Sequence, residues 1–267
     1  RIKMSDKKKE SVEILQNKQI ASGIYDMRLR TSIVNTAKPG QFVNLFLQNE
    51  AKILPRPISI CEIDKKEQIL RLVYRISGEG TREISSYQPG SFIEMMGPLG
   101  NGYDVTSPYM RKENAEPKMM LLGGGIGIPP MLELAKYYGS LATVVLGYRD
   151  ELFLFDDFQK TGATVLYATD SGISGVKGTV MDVIEQYHLK ADIICSCGPK
   201  PMLAAVKNYA LQEDILCFLS MEERMACGIG ACLACVCQST SIDDHSKVKY
   251  KRVCADGPVF EAREVEL

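Results

Sequence analysis

The chain has 267 residues, 45% of them hydrophobic and 24% charged, with a formal net charge of −1. That is an ordinary composition for a globular protein long enough to form two or three domains, and its near neutrality argues against nucleic acid or an anionic membrane as partner. No apolar run nears the roughly 20 residues of a membrane span, and the charged opening "RIKMSDKKKESVEIL" has no apolar signal core, so a cytoplasmic location is expected.

In chain order, the first hundred residues read as β. "PGQFVNLFL" and "PGSFIEMMGPLG" each begin with a Pro-Gly turn and continue as a short apolar run, and "ILPRPISICEI" and "QILRLVYRIS" lie between them. Turn signals at short intervals without helical periodicity predict a small antiparallel barrel over residues 1–105. Within it, "RPIS" (Arg56, Pro57, Ile58, Ser59) offers a forked cationic donor for a phosphate and a hydroxyl in reach of a flavin ring edge. "GEGTREISS" is a glycine turn opening a helix, which suits a pyrophosphate. Taken alone, a surface arginine in a turn explains Arg56 equally well.

A polar linker with two prolines, "DVTSPYMRKENAEPK", separates this region from an alternation of strands and helices. "KMMLLGGGIGIPPMLELAKYYG" is an apolar strand, a glycine turn and an amphipathic helix. "LATVVLGYR", "TVLYATD", "GTVMDVIEQYH" and "ADIICSCGPKPMLAAVKNYALQ" continue the pattern, so a parallel-sheet α/β domain is expected over residues 106–215. Gly123, Gly124, Gly125 and Gly127 let the backbone approach a phosphate at a helix N-terminus, although the full G-x-G-x-x-G fingerprint is missing. Cys197 and Gly198 close a second strand, at the end where parallel sheets bind ligands, and Cys197 is expected to face a nicotinamide. The alternatives are turn glycines without a ligand and plain buried thiols. Arg149 and Asp150 follow the second strand of this half. An acid there suits the ribose of NAD and an arginine the extra phosphate of NADP, and the preference is for NAD.

From about Leu216 the chain becomes a cysteine-rich tail, expected as a small domain over residues 216–267 that depends on an inorganic centre. The spacing is Cys227-x4-Cys232-x2-Cys235, then eighteen residues to Cys254, which is the pattern of plant-type [2Fe–2S] clusters. Four thiolates must converge on two irons from one tight loop and one distant residue. Gly228, Gly230, Ala231 and Ala234 leave room for that wrap and for backbone N–H groups aimed at sulfur. Structural zinc is the alternative, but zinc ribbons usually present two separate C-x2-C knuckles. Cys237 is a fifth thiol, read as a small buried residue behind the loop rather than a ligand. The two histidines, His188 and His245, sit in no motif, and His245 is expected in a solvated loop.

The order RPIS, GEGT, GPLGNG, GGGIGIPP, CGPKPML and MACGIGACLAC resembles the ferredoxin reductase superfamily. More closely it resembles the electron-transfer subunits of class 1B, NAD-linked dihydroorotate dehydrogenase, from about Val12 to Phe260. "ERMACGIGACLACVC" and "VCADGPVF" are its most specific segments. The resemblance implies FAD held by Arg56 to Ser59, by Val73, Tyr74 and Arg75 on the next strand, and by Gly80 and Thr81. It implies NAD(H) at Gly123 to Gly127, and a [2Fe–2S] cluster on Cys227, Cys232, Cys235 and Cys254. It also implies a separate FMN-containing catalytic subunit that oxidises dihydroorotate, in a heterotetramer of two of each chain. Flavin is the needed intermediary, because nicotinamide takes two electrons as hydride and a cluster takes one. No motif for a pyrimidine substrate and no general base stands out in this chain. The alternatives are a related subunit serving a hydrogenase or a ferredoxin–NADP transhydrogenase, and a zinc-stapled nucleotide-binding module without catalysis.

Overall fold

The computed structural model describes residues 7–49, 51–107, 116–242 and 247–267. His245 and the middle of the expected linker lie outside the described residues. Six strands form the N-terminal half: β1 (Lys8–Ala21), β2 (Ile24–Arg30), β3 (Phe42–Phe46), β4 (Arg56–Asp64), β5 (Ile69–Arg75) and β6 (Phe92–Leu99). They close into a barrel in the order β1-β2-β5-β4-β3-β6, every described pairing antiparallel. Closure removes the open edges that a six-stranded sheet would otherwise present. Side chains alternate across each strand, so Ile14, Met27, Leu29, Leu45, Ile60, Leu70 and Leu72 share the interior. Each is wholly buried, worth on the order of 1.5–3 kcal/mol relative to exposure. A short helix, α1 (Glu79–Ser85), adds Ile84 to the same core.

The second half is a sheet of β7 (Met119–Gly124), β8 (Ala142–Tyr148), β9 (Thr164–Thr169), β10 (Val176–Lys177), β11 (Ile193–Cys197) and β12 (Leu216–Ser220), all parallel. Helices α2 (Met131–Tyr138), α3 (Phe155–Gln159), α4 (Val180–Gln186) and α5 (Lys200–Gln212) connect them. The order is β10-β9-β8-β7-β11-β12, so the chain reverses direction of travel across the sheet at β7. The crevice beyond the carboxyl ends of β7 and β11 is therefore the switch point where such sheets bind ligands.

The expected start of the tail at Leu216 is corrected by this topology. Leu216–Ser220 continues the parallel sheet as β12, bonded along β11 from Ile193 to Cys197. A cysteine at 217 belongs to that buried strand and not to the tail chemistry. The tail proper contains a small hairpin, β13 (Val236–Gln238) with β14 (Tyr250–Arg252), and a last strand, β15 (Val259–Glu261). β15 returns to the large sheet and pairs antiparallel with β12. Among the described residues the tail has no separate core. Cys235, Cys237, Val253 and Cys254 are buried in one cluster with Phe42 and Leu99 of the barrel and Leu219 of β12.

The two halves are also locked by charge. Arg71 on β5 places Nε and Nη2 on the two carboxylate oxygens of Asp26, at 3.1 and 3.0 Å. Its Nη1 donates to Glu62 and, across the boundary, to Asp157 of α3 at 3.0 Å. Glu133 of α2 accepts from the Ile63 amide at 3.0 Å, and Lys136 donates to Glu62 at 2.9 Å.

Candidate functional site

The barrel motifs meet in space. Arg56 opens β4, and its guanidinium lies over the first turn of α1. A Cβ at Gly80 would stand 2.0 Å from Arg56 Nε and 2.5 Å from Nη2. Only glycine lets the fork sit there, beside the unpaired N–H groups of the helix start. Arg56 Nη1 donates to the Leu54 carbonyl, which fixes one arm of the fork. The Thr81 hydroxyl is taken by the turn itself, accepting from Ser77 and Gly78 amides at 2.9 and 3.3 Å. What Thr81 retains for a ligand is therefore its backbone. Ile58 and Tyr74 point into the barrel core, where the Tyr74 hydroxyl donates to Asn17 Oδ1 at 2.9 Å. Pro57 and Ser59 stay partly accessible, Arg75 is exposed, and Val73 turns toward the other domain.

The nucleotide loops also meet. Cys197 pairs with Gly123 across β11 and β7, which brings the GGGIG turn beside the CGP turn. A Cβ at Gly127 would stand 2.3 Å from the Cys197 carbonyl oxygen, and one at Gly124 2.3 Å from Met202 Sδ of α5. Gly125 has a φ of +52°, so backbone conformation favours glycine there as well. The Cys197 thiol bonds Ser220 but burial outweighs that contact and pushes it up to about 12. It is a neutral thiol in the crevice. Arg149 and Asp150 are both exposed beyond β8. Val73 on the flavin-motif strand shares a core with Ile128, and Ile126 and Cys197 pack against it, so barrel and crevice face each other.

The cysteine loop folds around left-handed residues: φ is +70° at Gly228, +86° at Gly230 and +58° at Leu233. These turns aim amides at sulfur. Ile229 and Ala231 donate to Cys227 Sγ at 3.4 and 3.3 Å, and Gly230 to Cys254 Sγ at 3.1 Å. The Cys254 amide donates to Cys235 Sγ at 3.4 Å. Cys254 is thereby joined both to the loop, through the Gly230 amide, and to Cys235. Burial works against ionising Cys227, but the amides of Ile229, Cys232 and Ala231 outweigh it and lower the thiol to about 6. Burial, reinforced by Cys235, pushes Cys254 up to about 12. Cys237 is buried on β13 in the same cluster as Cys235 and Cys254, and burial raises its thiol too. Cys232 is exposed, with Ile229 and Leu233 exposed beside it.

Two residues, both asparagines, hold the tail to the barrel, Asn101 within the GPLGNG segment and Asn44 outside every motif. Asn101, just after β6, donates to the carbonyls of Ala255 and Asp256 at 2.9 and 3.1 Å. Asn44 on β3 donates to the Cys227 carbonyl at 3.3 Å. A third, Arg252, grips the loop from outside through the Gly230 carbonyl at 3.3 Å while its own fork is held by Asp256. A single asparagine in a strand, such as Asn44, carries no spacing pattern, so only the fold reveals its contact.

Comparison with known proteins agrees with this layout. Residues 222–266 match the family model for the iron–sulfur cluster binding domain of dihydroorotate dehydrogenase B. The chain is 43% identical to the dihydroorotate dehydrogenase B (NAD(+)) electron transfer subunit of Fusobacterium nucleatum subsp. nucleatum, over 97% of this chain and 98% of that protein. It is 40% identical to the subunit of the same name from Geobacillus sp. strain WCH70, over 97% and 99%. Among solved structures, the NADH-dependent reduced ferredoxin-NADP oxidoreductase superposes with a TM-score of 0.80 at 27% identity, covering 96% of this chain and 89% of that one.

Proposed function

The chain belongs to the family of electron transfer subunits of the NAD-linked dihydroorotate dehydrogenase B, and from that membership we propose how its residues divide the work. It is an oxidoreductase subunit that carries electrons between a catalytic partner and NAD+, with FAD and a [2Fe–2S] cluster as its centres. FAD held in this fold would supply two-electron hydride chemistry toward nicotinamide and one-electron chemistry toward the cluster.

The observation that carries the residue assignment is the position of the flavin-motif strands between the other two sites. Val73 of β5 meets the nucleotide turn, while β3, paired to β4 through Asn44 and Pro57, meets the cysteine loop. Arg56 with the Gly80 and Thr81 amides holds the flavin pyrophosphate, and Pro57 and Ser59 line the ring. Gly123 to Gly127 and Gly198 admit the nicotinamide nucleotide, and Cys197 stays a neutral wall beside it. Cys227, Cys232, Cys235 and Cys254 are the ligands. The C-x4-C-x2-C spacing with Cys254, and the loop amides aimed at Cys227, Cys235 and Cys254, suit a two-iron centre better than zinc, whose ribbons usually present two separate C-x2-C knuckles. The exposed Cys232 edge, flanked by apolar Ile229 and Leu233, is the face offered to the partner. That partner is an FMN-containing subunit that oxidises dihydroorotate, assembled as two of each chain in the cytoplasm. Among the described residues, no helix is long and apolar enough to cross a membrane.

The likeness to the ferredoxin-NADP oxidoreductase supports a second reading, a transhydrogenase subunit. Identity favours the first, at 43% against 27%. The deciding experiment is anaerobic turnover by the purified chain. It should contain FAD and about two irons, oxidise NADH with an artificial acceptor, and leave dihydroorotate untouched. NADH-driven reduction of NADP+ would favour the transhydrogenase. Extraction of FMN in place of FAD would defeat the flavin assignment.

A further inference from the structure

Asn44 has an unusual position. It is a fully buried polar residue on the barrel, and its side chain leaves the barrel rather than entering it. Its neighbours Val43 and Leu45 belong to the barrel core, while Phe42, two residues back on the same face, belongs to the cluster that buries Cys235 and Cys254. Across the ladder it pairs with Pro57 of the flavin motif. Its Nδ2 donates to the carbonyl of Cys227, the first residue of the cysteine loop, at 3.3 Å. Gly228 is pressed against it so closely that a Cβ there would stand 2.4 Å from Nδ2. Its Oδ1, also buried, meets no donor among the described residues.

A buried amide with one atom unpaired costs stability, on general grounds more than an apolar side chain of the same shape. An apolar residue would fill the space between Phe42 and the loop at less cost. What the amide adds is a directional tie between the backbone of a cluster ligand and the strand adjoining the flavin. We propose that Asn44 is a positioning residue that sets the separation of the cluster from the flavin and so governs electron exchange between them. This rests on the assignment of FAD to the RPIS strand and of the cluster to the four cysteines.

The electron count of the step is simple. NADH delivers two electrons and one proton to the flavin as hydride. One electron passes on to the oxidised cluster, which takes that single electron and no proton, and the second stays on the flavin. Asn44 touches none of the reacting atoms, so hydride transfer does not depend on it, whereas the onward step does.

The test uses the full chain with its FAD and cluster, as wild type, Asn44→Leu and Asn44→Asp. The first variant removes both polar atoms, and the second keeps the shape but loses the donor. Anaerobic stopped-flow with NADH follows flavin bleaching, and freeze-quenched electron paramagnetic resonance follows the reduced cluster. Redox titration gives the cluster potential. The expected result is flavin bleaching at the wild-type rate, unchanged iron content, and cluster reduction slowed roughly ten- to hundredfold, the range seen when partners behind metal ligands are removed. Cluster reduction at the wild-type rate in both variants overturns the proposal. So does a shift in cluster potential large enough to account for the slowing, since the residue would then act through driving force. Loss of iron from both variants also overturns it, because Asn44 would then merely support the ligands. Should the leucine variant fail to fold, the aspartate variant decides. A wild-type chain lacking FAD or cluster would instead defeat the underlying assignment and leave no cluster reduction to compare.

Discussion

Replacing Gly80 with alanine should cost FAD affinity while leaving the fold intact, and the two effects separate cleanly. Gly80 lies in α1 without a positive φ, so alanine fits the backbone and should gain up to about 1 kcal/mol of helix propensity. The added methyl would fall 2.0 Å from Arg56 Nε and 2.5 Å from Cζ. A flexible side chain can yield to that contact, so the guanidinium moves and the chain still folds. What is lost is the place of the fork above the helix start. A charge-assisted hydrogen bond of this kind is worth about 1.5–3 kcal/mol, which is a roughly ten- to hundredfold weakening of FAD binding. Deflavinated Gly80→Ala, Arg56→Ala and the double variant would be titrated with FAD by calorimetry, with melting followed in parallel. Each single variant should weaken binding by a similar factor, and the double variant should be no worse than Arg56→Ala. Unchanged affinity in both singles would refute the phosphate role of Arg56. Additive losses would refute the claim that Gly80 acts by making room for it.

Other expectations concern the cluster and the domain boundary. Cys235→Ser should abolish the red-brown absorbance and release about two irons per chain, whereas Cys237→Ser should keep both, as read by iron assay and visible spectrum. Arg71→Met should destabilise the chain by about 3–5 kcal/mol in urea, because it strands Asp26, whose side chain is only 2% exposed, without its cation. Stability should also fall on acidification. Burial tends to raise Glu62, but Lys136 and Arg71 outweigh it and hold the carboxyl below its ordinary 4.5. A depressed carboxyl stabilises the fold above its unfolded value and loses that contribution as pH drops through the folded one. Urea midpoints should therefore decline below about pH 4.5, and the decline should shrink in Arg71→Met.

Much of this was legible in the sequence, for identifiable reasons. The glycine turns, the C-x4-C-x2-C spacing and the change from β to β-α texture are local patterns, and the barrel, parallel sheet and cysteine loop follow them. The strand Leu216–Ser220 was not legible as part of the sheet. Its nearness to the cysteine-rich tail hides its pairing, and only the bonding with β11 reveals its place. The alternation at Ile58 and Tyr74 also hides their direction, since a motif does not say which face a side chain takes. Asn44 and Arg252 were invisible, and Asn101 stood in GPLGNG without a visible role, because each acts through a contact distant in sequence.

The most direct test of the central account is reconstitution of dihydroorotate-dependent NAD+ reduction. NADH formation would be followed anaerobically with this chain alone, with the catalytic subunit alone, with both, and with both after the cluster has been stripped by a chelator and the flavin restored. The account predicts NADH only from the intact pair. NADH from this chain alone, or undiminished NADH from a pair shown to lack the cluster, would contradict it.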